Sequence, residues 1–247
     1  MEQGEGGHVL GSPAIPAVLL YNRMNLDNVC ELLEERLEYR FKNPSLLRQA
    51  LTHSSYANER KSPDYERLEF LGDAVLELLV SDYLYHTREE MKEGDMTKLR
   101  ASLVCEPTLS FCAREIELYK YILLGKGEEQ TGGRKRDSII SDVFEAVIGA
   151  LYLDGGLEAA KGFVEQYVLK DMYNKIEFVD SKSKLQEYSQ EKGIELRYEL
   201  LSESGPAHDK EYLVAVLLNN KEAAKGRGKS KKHAEQEAAY QALKRLK

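Results

Sequence analysis

No stretch of this sequence approaches the roughly eighteen consecutive apolar residues that a membrane span needs. Residues 1–7 include Glu2 and Glu5 but no Lys or Arg, and Pro16 interrupts the apolar stretch at 14–21, so a secretory signal is not expected. Cysteine is scarce. Cys30, Cys105 and Cys112 form no CxxC pair and cannot all pair with one another, which points to free thiols in a reducing cytoplasm. The five histidines, His8, His53, His86, His208 and His233, have no zinc-type spacing. Gly228-Lys229-Ser230 looks like the end of a phosphate-binding P-loop, but the glycine required five positions earlier is Ala223, so no nucleotide cofactor is expected. No Ser–His or Cys–His motif for a side-chain nucleophile is recognisable either.

What remains is an ordinary globular composition, 42% hydrophobic and 31% charged, in 247 residues that could form one large domain or two smaller ones. A net charge of −7 speaks against nucleic acid only when taken as one number. Residues 180–247 hold 14 Lys+Arg against 11 Asp+Glu, and residues 1–179 hold 21 against 31. An acidic body is thus joined to a mildly basic end. A basic end can also serve solubility alone.

Residues 1–23 contain Gly and Pro, few charges and no regular period, so a poorly ordered leader is expected, with Met24 as an alternative start. Apolar residues at three- and four-residue spacing predict helices over 25–39, 44–57, 64–86, 95–117, 138–153 and 157–171. Gly125-Lys126-Gly127 and Thr131-Gly132-Gly133 mark the clearest breaks. The expectation is an all-α domain over 24–176. A small α+β unit in α-β-β-β-α order should follow over 177–247. Its parts are a helix over 182–193, alternating strands over 197–202 and 211–218, a third strand over 221–225 and a closing helix over 229–246. Asn219-Asn220 suits a tight hairpin turn. Ala234, Ala238, Ala242 and Leu246 give the closing helix a stripe that can lie close on a sheet.

The richest stretch is Tyr65-Glu66-Arg67-Leu68-Glu69-Phe70-Leu71-Gly72-Asp73-Ala74-Val75-Leu76. Its non-acidic residues are apolar nearly all round, which predicts a helix buried within the domain. Glu66, Glu69 and Asp73, spaced i, i+3 and i+7, fall on one face of it. Three like charges there are unfavourable, and a hard divalent cation with oxygen ligands is the simplest compensation. Asp142 and Glu145 form a second i, i+3 pair in an apolar run, and Glu93 opens a further helix. Carboxylates converging from separate helices would make an oxygen cage for Mg²⁺, with Mn²⁺ as a substitute. The alternative is exposed or ion-paired acids, with Arg67, Lys98 and Arg100 as partners. A single i, i+3 pair is more often that; a triple stripe in an apolar helix with a second such pair is not. Glu77 would extend the stripe but is given a structural role.

The stretch Glu66-Arg67-Leu68-Glu69-Phe70-Leu71-Gly72-Asp73-Ala74-Val75-Leu76 resembles, unbroken, the defining motif of the ribonuclease III family. Glu93-Gly94-Asp95 and Asp142-Val143-Phe144-Glu145-Ala146 resemble the family's other two acidic motifs, in the expected order. The likeness covers nearly everything after the leader. It implies a Mg²⁺-dependent, cytoplasmic endonuclease of double-stranded RNA that processes ribosomal RNA precursors, messenger RNA and other structured transcripts. Water would attack, leaving 5′-phosphate and 3′-hydroxyl ends. By position, Glu69, Asp73, Asp142 and Glu145 become the catalytic, metal-coordinating acids, and Glu66 and Glu93 supporting residues. The resemblance also implies a homodimer with Phe70 as a contact between subunits, although Phe70 alone reads equally well as core.

Duplex RNA hides its base edges in a deep, narrow groove and is recognised through phosphates and 2′-hydroxyls. Lys225, Arg227, Lys229, Lys231 and Lys232 lie close together with no acid among them, at the expected start of the last helix, where the macrodipole also favours phosphate. Ser183-Lys184-Leu185-Gln186-Glu187, Gly205-Pro206-Ala207-His208 and Ser230-Lys231-Lys232-His233-Ala234-Glu235 resemble the three contact regions of a double-stranded RNA-binding domain. That likeness implies that Ser183, Gln186 and Glu187 meet one minor groove and His208 the next, with Lys229, Ser230, Lys231 and Lys232 on the phosphates between. Without it, a Lys-rich helix start is more often a solvated end, and His208 a loop histidine. Two other functions stay open on the sequence. One is a protein that binds duplex RNA without cutting it; the other is a small-molecule phosphohydrolase, which would leave residues 180–247 without a use.

Overall fold

The computed structural model describes residues 26–205 and 210–246. The expected leader, Met24 and His208 lie outside the described residues. The chain forms a mostly helical unit followed by a small α+β unit.

The helical unit opens with α1 (Leu26–Leu37), α2 (Pro44–Ala50) and α3 (Ser54–Arg60). Asn43 caps α2 by accepting from the Ser45 N–H, and Pro44 sits in the first turn, where its missing N–H is no loss. One helix was expected over 44–57. The chain instead leaves the helix at Leu51 to pair with a distant segment: the Leu123 N–H donates to Leu51 O at 2.7 Å and the His53 N–H to Leu123 O at 3.0 Å.

Next come α4 (Glu66–Thr87), α5 (Glu93–Val104) and α6 (Glu106–Glu115). The single helix expected over 95–117 is broken at Cys105, which is extended (φ −74°, ψ 151°), and Pro107 lies in the first turn of the helix that restarts there. After a short α7 (Lys126–Gln130) comes α8 (Asp137–Val164), two helical segments that meet at a kink, close to the two helices expected over 138–153 and 157–171. This helix bends at Gly156, whose φ of 74° and ψ of −170° only glycine adopts readily, and it ends in a π-helical stretch, Glu165–Leu169. A further helix, α9 (Met172–Val179), was not anticipated.

The core is built around α4 and α8. Leu68, Val75, Leu76, Leu79 and Val80 meet Ile140, Val143, Phe144, Val147, Ile148 and Leu151, all buried. Each such side chain contributes about 1.5–3 kcal/mol on burial. The expectation that α4 is buried all round needs correction. Phe70 is 81% exposed, Leu78 56% and Tyr85 70%, so one flank of the helix is an apolar outer surface.

The second unit comprises α10 (Ser181–Lys192), β1 (Leu196–Ser204), β2 (Glu211–Leu218), β3 (Lys221–Gly228) and α11 (Lys231–Leu246). Its strands form an antiparallel sheet in the order β1-β2-β3. Asn219 and Asn220 turn the β2–β3 hairpin with φ of 50° and 61°, as their tolerance of the left-handed region suggested. Leu185, Val216, Ala224, Ala238, Ala239 and Ala242 form the core between helices and sheet. The helix lies so close that a Cβ on Gly226 would come within 2.2 Å of the Ala238 nitrogen. The strand expected over 221–225 runs on to Gly228, so Arg227 belongs with Lys225 to β3 rather than to the start of the last helix.

Candidate active site

Two glycines decide how the acids meet. A Cβ on Gly72 of α4 would sit 1.8 Å from the Glu145 carbonyl oxygen, and one on Gly149 of α8 would sit 2.2 Å from that of Leu68. The helix backbones therefore touch, with Leu68 and Gly72 facing Glu145 and Gly149. Glu69 and Asp73 each follow a contact residue on one helix; Asp142 and Glu145 lie at the same level of the other. Sequence spacing shows a triple stripe, Glu66, Glu69 and Asp73, and a separate pair, Asp142 and Glu145, and the glycine contact brings the two helices that carry them together.

The electrostatics report the same closeness. Burial, then the charges of Asp142, Glu66 and Asp73, push the Glu69 carboxyl up to about 7. Burial, then Asp73, Glu69 and Asp142, push Glu145 up to about 8. Asp142 is raised by burial and held back by the Tyr65 hydroxyl, which donates to its Oδ2 at 3.3 Å. Among the described residues, none of Glu66, Glu69, Asp73, Asp142 and Glu145 has a Lys, Arg or His partner within ion-pair distance. Arg100, a conceivable partner, is engaged by Glu77 at 3.0 Å. Ion pairing thus does not account for the cluster.

Glu93 stands apart. It is exposed in the first turn of α5, accepts from the Thr97 hydroxyl at 2.9 Å, and lines a groove with Leu78, Tyr85, Met96 and Arg100. It is not among the charges acting on Glu69 or Glu145.

Among the described residues, no three His, Cys, Asp or Glu side chains already close around a point that would hold a metal ion. Carboxylates without a counter-charge have reason to stay apart. Their chemistry still fits a hard divalent cation: oxygen donors only, on two helices in backbone contact, with an uncompensated mutual repulsion that such an ion would relieve. Three neighbours had gone unremarked in the sequence. Tyr65 bonds Asp142, His53 lies against Tyr65 with ring centroids 5.7 Å apart, and the charge of Glu106 acts on Asp142. The one local signal was that Tyr65 directly precedes the acidic stripe.

In the second unit Ser183, Gln186 and Glu187 are exposed on α10, and their i, i+3, i+4 spacing gives them a common face. Ser230 caps α11, its Oγ accepting from the His233 N–H at 3.2 Å, and Lys229 precedes it. Lys231 is exposed. Lys232 reaches back to the helical unit, its Nζ 2.5 Å from Asp137 Oδ2, while Arg114 holds Oδ1 at 2.8 Å. Burial would raise the Asp137 carboxyl, but hydrogen bonds from Lys232 and Arg114 hold it below its ordinary value.

Comparison with known proteins adds family profiles and relatives. A profile described as Ribonuclease-III-like matches residues 43–172, and one described as the double-stranded RNA binding motif matches residues 181–246. Ribonuclease 3 of Bacillus cereus is 52% identical over 227 residues, spanning 88% of this chain and 91% of the relative. Ribonuclease 3 of Halalkalibacterium halodurans is 52% identical over 217 residues, 84% of this chain and 81% of that one. The crystallised nuclease domain of ribonuclease III from Campylobacter jejuni, described for flexibility in a region involved in dimer formation, aligns with a TM-score of 0.55 at 46% identity. That match covers 57% of this chain and 97% of the Campylobacter domain.

Proposed function

The chain belongs to the ribonuclease III family, endonucleases of double-stranded RNA, and from that premise we propose that Glu69, Asp73, Asp142 and Glu145 are its catalytic, metal-holding acids. The observation that carries the assignment is the cluster itself. Across two helices in backbone contact, burial and the charges of their acidic neighbours raise the proton affinity of Glu69 and Glu145, and among the described residues none of the four acids has a Lys, Arg or His partner within ion-pair distance. Mg²⁺, or Mn²⁺ in its stead, is the cation this oxygen donor set suits. Once bound, it would supply Lewis-acid activation of water and neutralise charge on the phosphate.

The remaining work falls to the chain. Glu69 and Glu145 give up the protons their raised affinities retain near neutral pH, so cation binding and proton release go together. Water rather than the RNA 2′-hydroxyl is the attacking group, giving 5′-phosphate and 3′-hydroxyl ends. Glu66, whose charge acts on Glu69, supports the site without holding the ion, and Glu93, which stands apart from the acids, supports it through subunit contact or substrate positioning.

The duplex-binding unit, taken as 177–247 against 24–176 for the nuclease, supplies the grip on substrate. Ser183, Gln186 and Glu187 meet one minor groove, His208 the next, and Lys229, Ser230, Lys231 and Lys232 the phosphates between. One centre cuts one strand, so a double cut needs two centres related by a two-fold axis. The exposed Phe70, Leu78 and Tyr85 on α4 support a homodimer built on that face. Ribosomal RNA precursors and structured messenger RNAs in the cytoplasm are the substrates in this reading.

The test is cleavage of duplex RNA by the full chain, with and without Mg²⁺, with analysis of the ends produced. Glu145→Gln should abolish cleavage while leaving duplex binding intact. Full activity in that variant, or equal cleavage by the unaltered chain in chelator, would overturn the assignment.

A further inference from the structure

Tyr65 is buried, with 4% of its surface exposed, and three contacts fix it. Its backbone N–H donates to Thr52 O at 2.9 Å, in the extended segment that pairs with Leu123. Its ring lies against that of His53, and its hydroxyl reaches Asp142 Oδ2, 77 positions along the chain. A phenylalanine would fill the same space. The oxygen is therefore the part that needs explaining, because a buried hydroxyl is favourable only where it finds a partner. Its partner is an acid of the cluster.

We propose that Tyr65 is a positioning residue: its hydroxyl holds one carboxylate oxygen of Asp142, so that this acid faces the other three in a fixed orientation before any cation arrives. The inference rests on the metal-holding role given to Asp142 above. The acids do not close around a point by themselves, so part of the affinity for an ion is spent on ordering them. A hydrogen bond from a rigidly held neutral donor removes some of that expense at Asp142. Groups that orient metal ligands from outside typically change metal affinity or activity about 10–100-fold when removed.

The test is Tyr65→Phe in the full-length chain, read first as Mn²⁺ affinity by calorimetry without RNA, then as cleavage rate against Mg²⁺ concentration. Mn²⁺ binding should weaken about tenfold. The Mg²⁺ midpoint should rise by a similar factor, and high Mg²⁺ should restore the rate with KM for duplex RNA unchanged. In an Asp142→Ala background the same change should leave Mn²⁺ affinity where it was, because the hydroxyl acts only through that carboxylate. If Tyr65→Phe fails to fold, Tyr65→Met fills the space with an adaptable side chain and carries the same expectation. Unaltered Mn²⁺ affinity in the folded variant, or an equal loss in the Asp142→Ala background, would overturn the role of Tyr65 alone. A chain whose Asp142→Ala variant binds Mn²⁺ as well as the unaltered one would remove the metal assignment, and this inference with it.

Discussion

Without a cation, the acid cluster should make stability depend on pH in a direction opposite to that of an ordinary salt-bridged carboxylate. Unfolded, Glu145 ionises near the ordinary 4.5; folded, it holds its proton to about 8, and Glu69 to about 7. Below the unfolded value both states are protonated and the carboxyl carries no penalty. Between 4.5 and about 8 the folded state binds more protons than the unfolded one, so stability falls as pH rises through that window. Taken at face value, a displacement of that size is worth roughly 4–5 kcal/mol for Glu145. The group is only partly buried and solvent screens it, so about 1–2 kcal/mol is the reasonable expectation. For a chain of this length each kcal/mol moves Tm by roughly 2–4 °C. Somewhat over half of that window lies above pH 6, so in chelator Tm should drop by about 1–5 °C between pH 6 and 8.5 on account of this group. Glu145→Gln, which cannot ionise, should lose that part of the slope and melt above the unaltered chain at pH 8.5. Added Mg²⁺ should raise Tm of the unaltered chain most at the alkaline end. Scanning calorimetry at matched ionic strength gives the answer, and identical pH slopes for the two proteins would refute the reasoning.

Two further expectations concern the helices that carry the acids. Gly149→Ala puts a methyl group within 2.2 Å of the Leu68 carbonyl, so it should destabilise by about 1–3 kcal/mol in denaturant titration and separate the acid pairs enough to lose cleavage. Gly162→Ala on the same helix meets nothing within 4 Å and should be neutral or slightly stabilising, which makes it the control. Phe70→Ala removes a side chain that is 81% exposed in the single chain, so protomer stability should hold while sedimentation shifts from dimer toward monomer. An unchanged sedimentation profile would remove Phe70 from the proposed interface.

How much could be read in advance depended on how local the cause was. The hairpin at Asn219-Asn220 was legible because the side chains that permit positive φ are the turn residues themselves. The helices were legible from their apolar period, but two of their breaks were not. Apolar spacing runs straight through Cys105 because α5 and α6 both pack on the same core, so periodicity cannot mark the interruption. The departure from helix at Thr52 depends on a pairing with Leu123, more than seventy positions away, and nothing in residues 44–57 specifies it. The break expected between 153 and 157 was legible because its cause is local: Gly156 itself adopts the non-helical backbone that kinks α8 there.

The acids were legible for a different reason, and that reason also explains what escaped notice. A stripe of like charges in an apolar helix is a local contradiction, visible without any partner. The residues that make the contradiction workable show no such anomaly. Gly72 and Gly149 read as ordinary small residues until the closeness of two backbones makes each of them necessary, and Tyr65 reads as one more core aromatic until its hydroxyl is found against Asp142. The outer face of α4 was hidden in the same way. Phe70, Leu78 and Tyr85 are as apolar as Leu68, Val75 and Leu76, and composition cannot separate the side that packs on α8 from the side left open. One helix therefore carries a seam to its own core, a row of acids beside that seam, and an uncovered apolar flank. Covering that flank with a second copy would stiffen the element that holds Glu69 and Asp73, so weakened association should also weaken cation binding, even though Phe70 is not itself one of the acids.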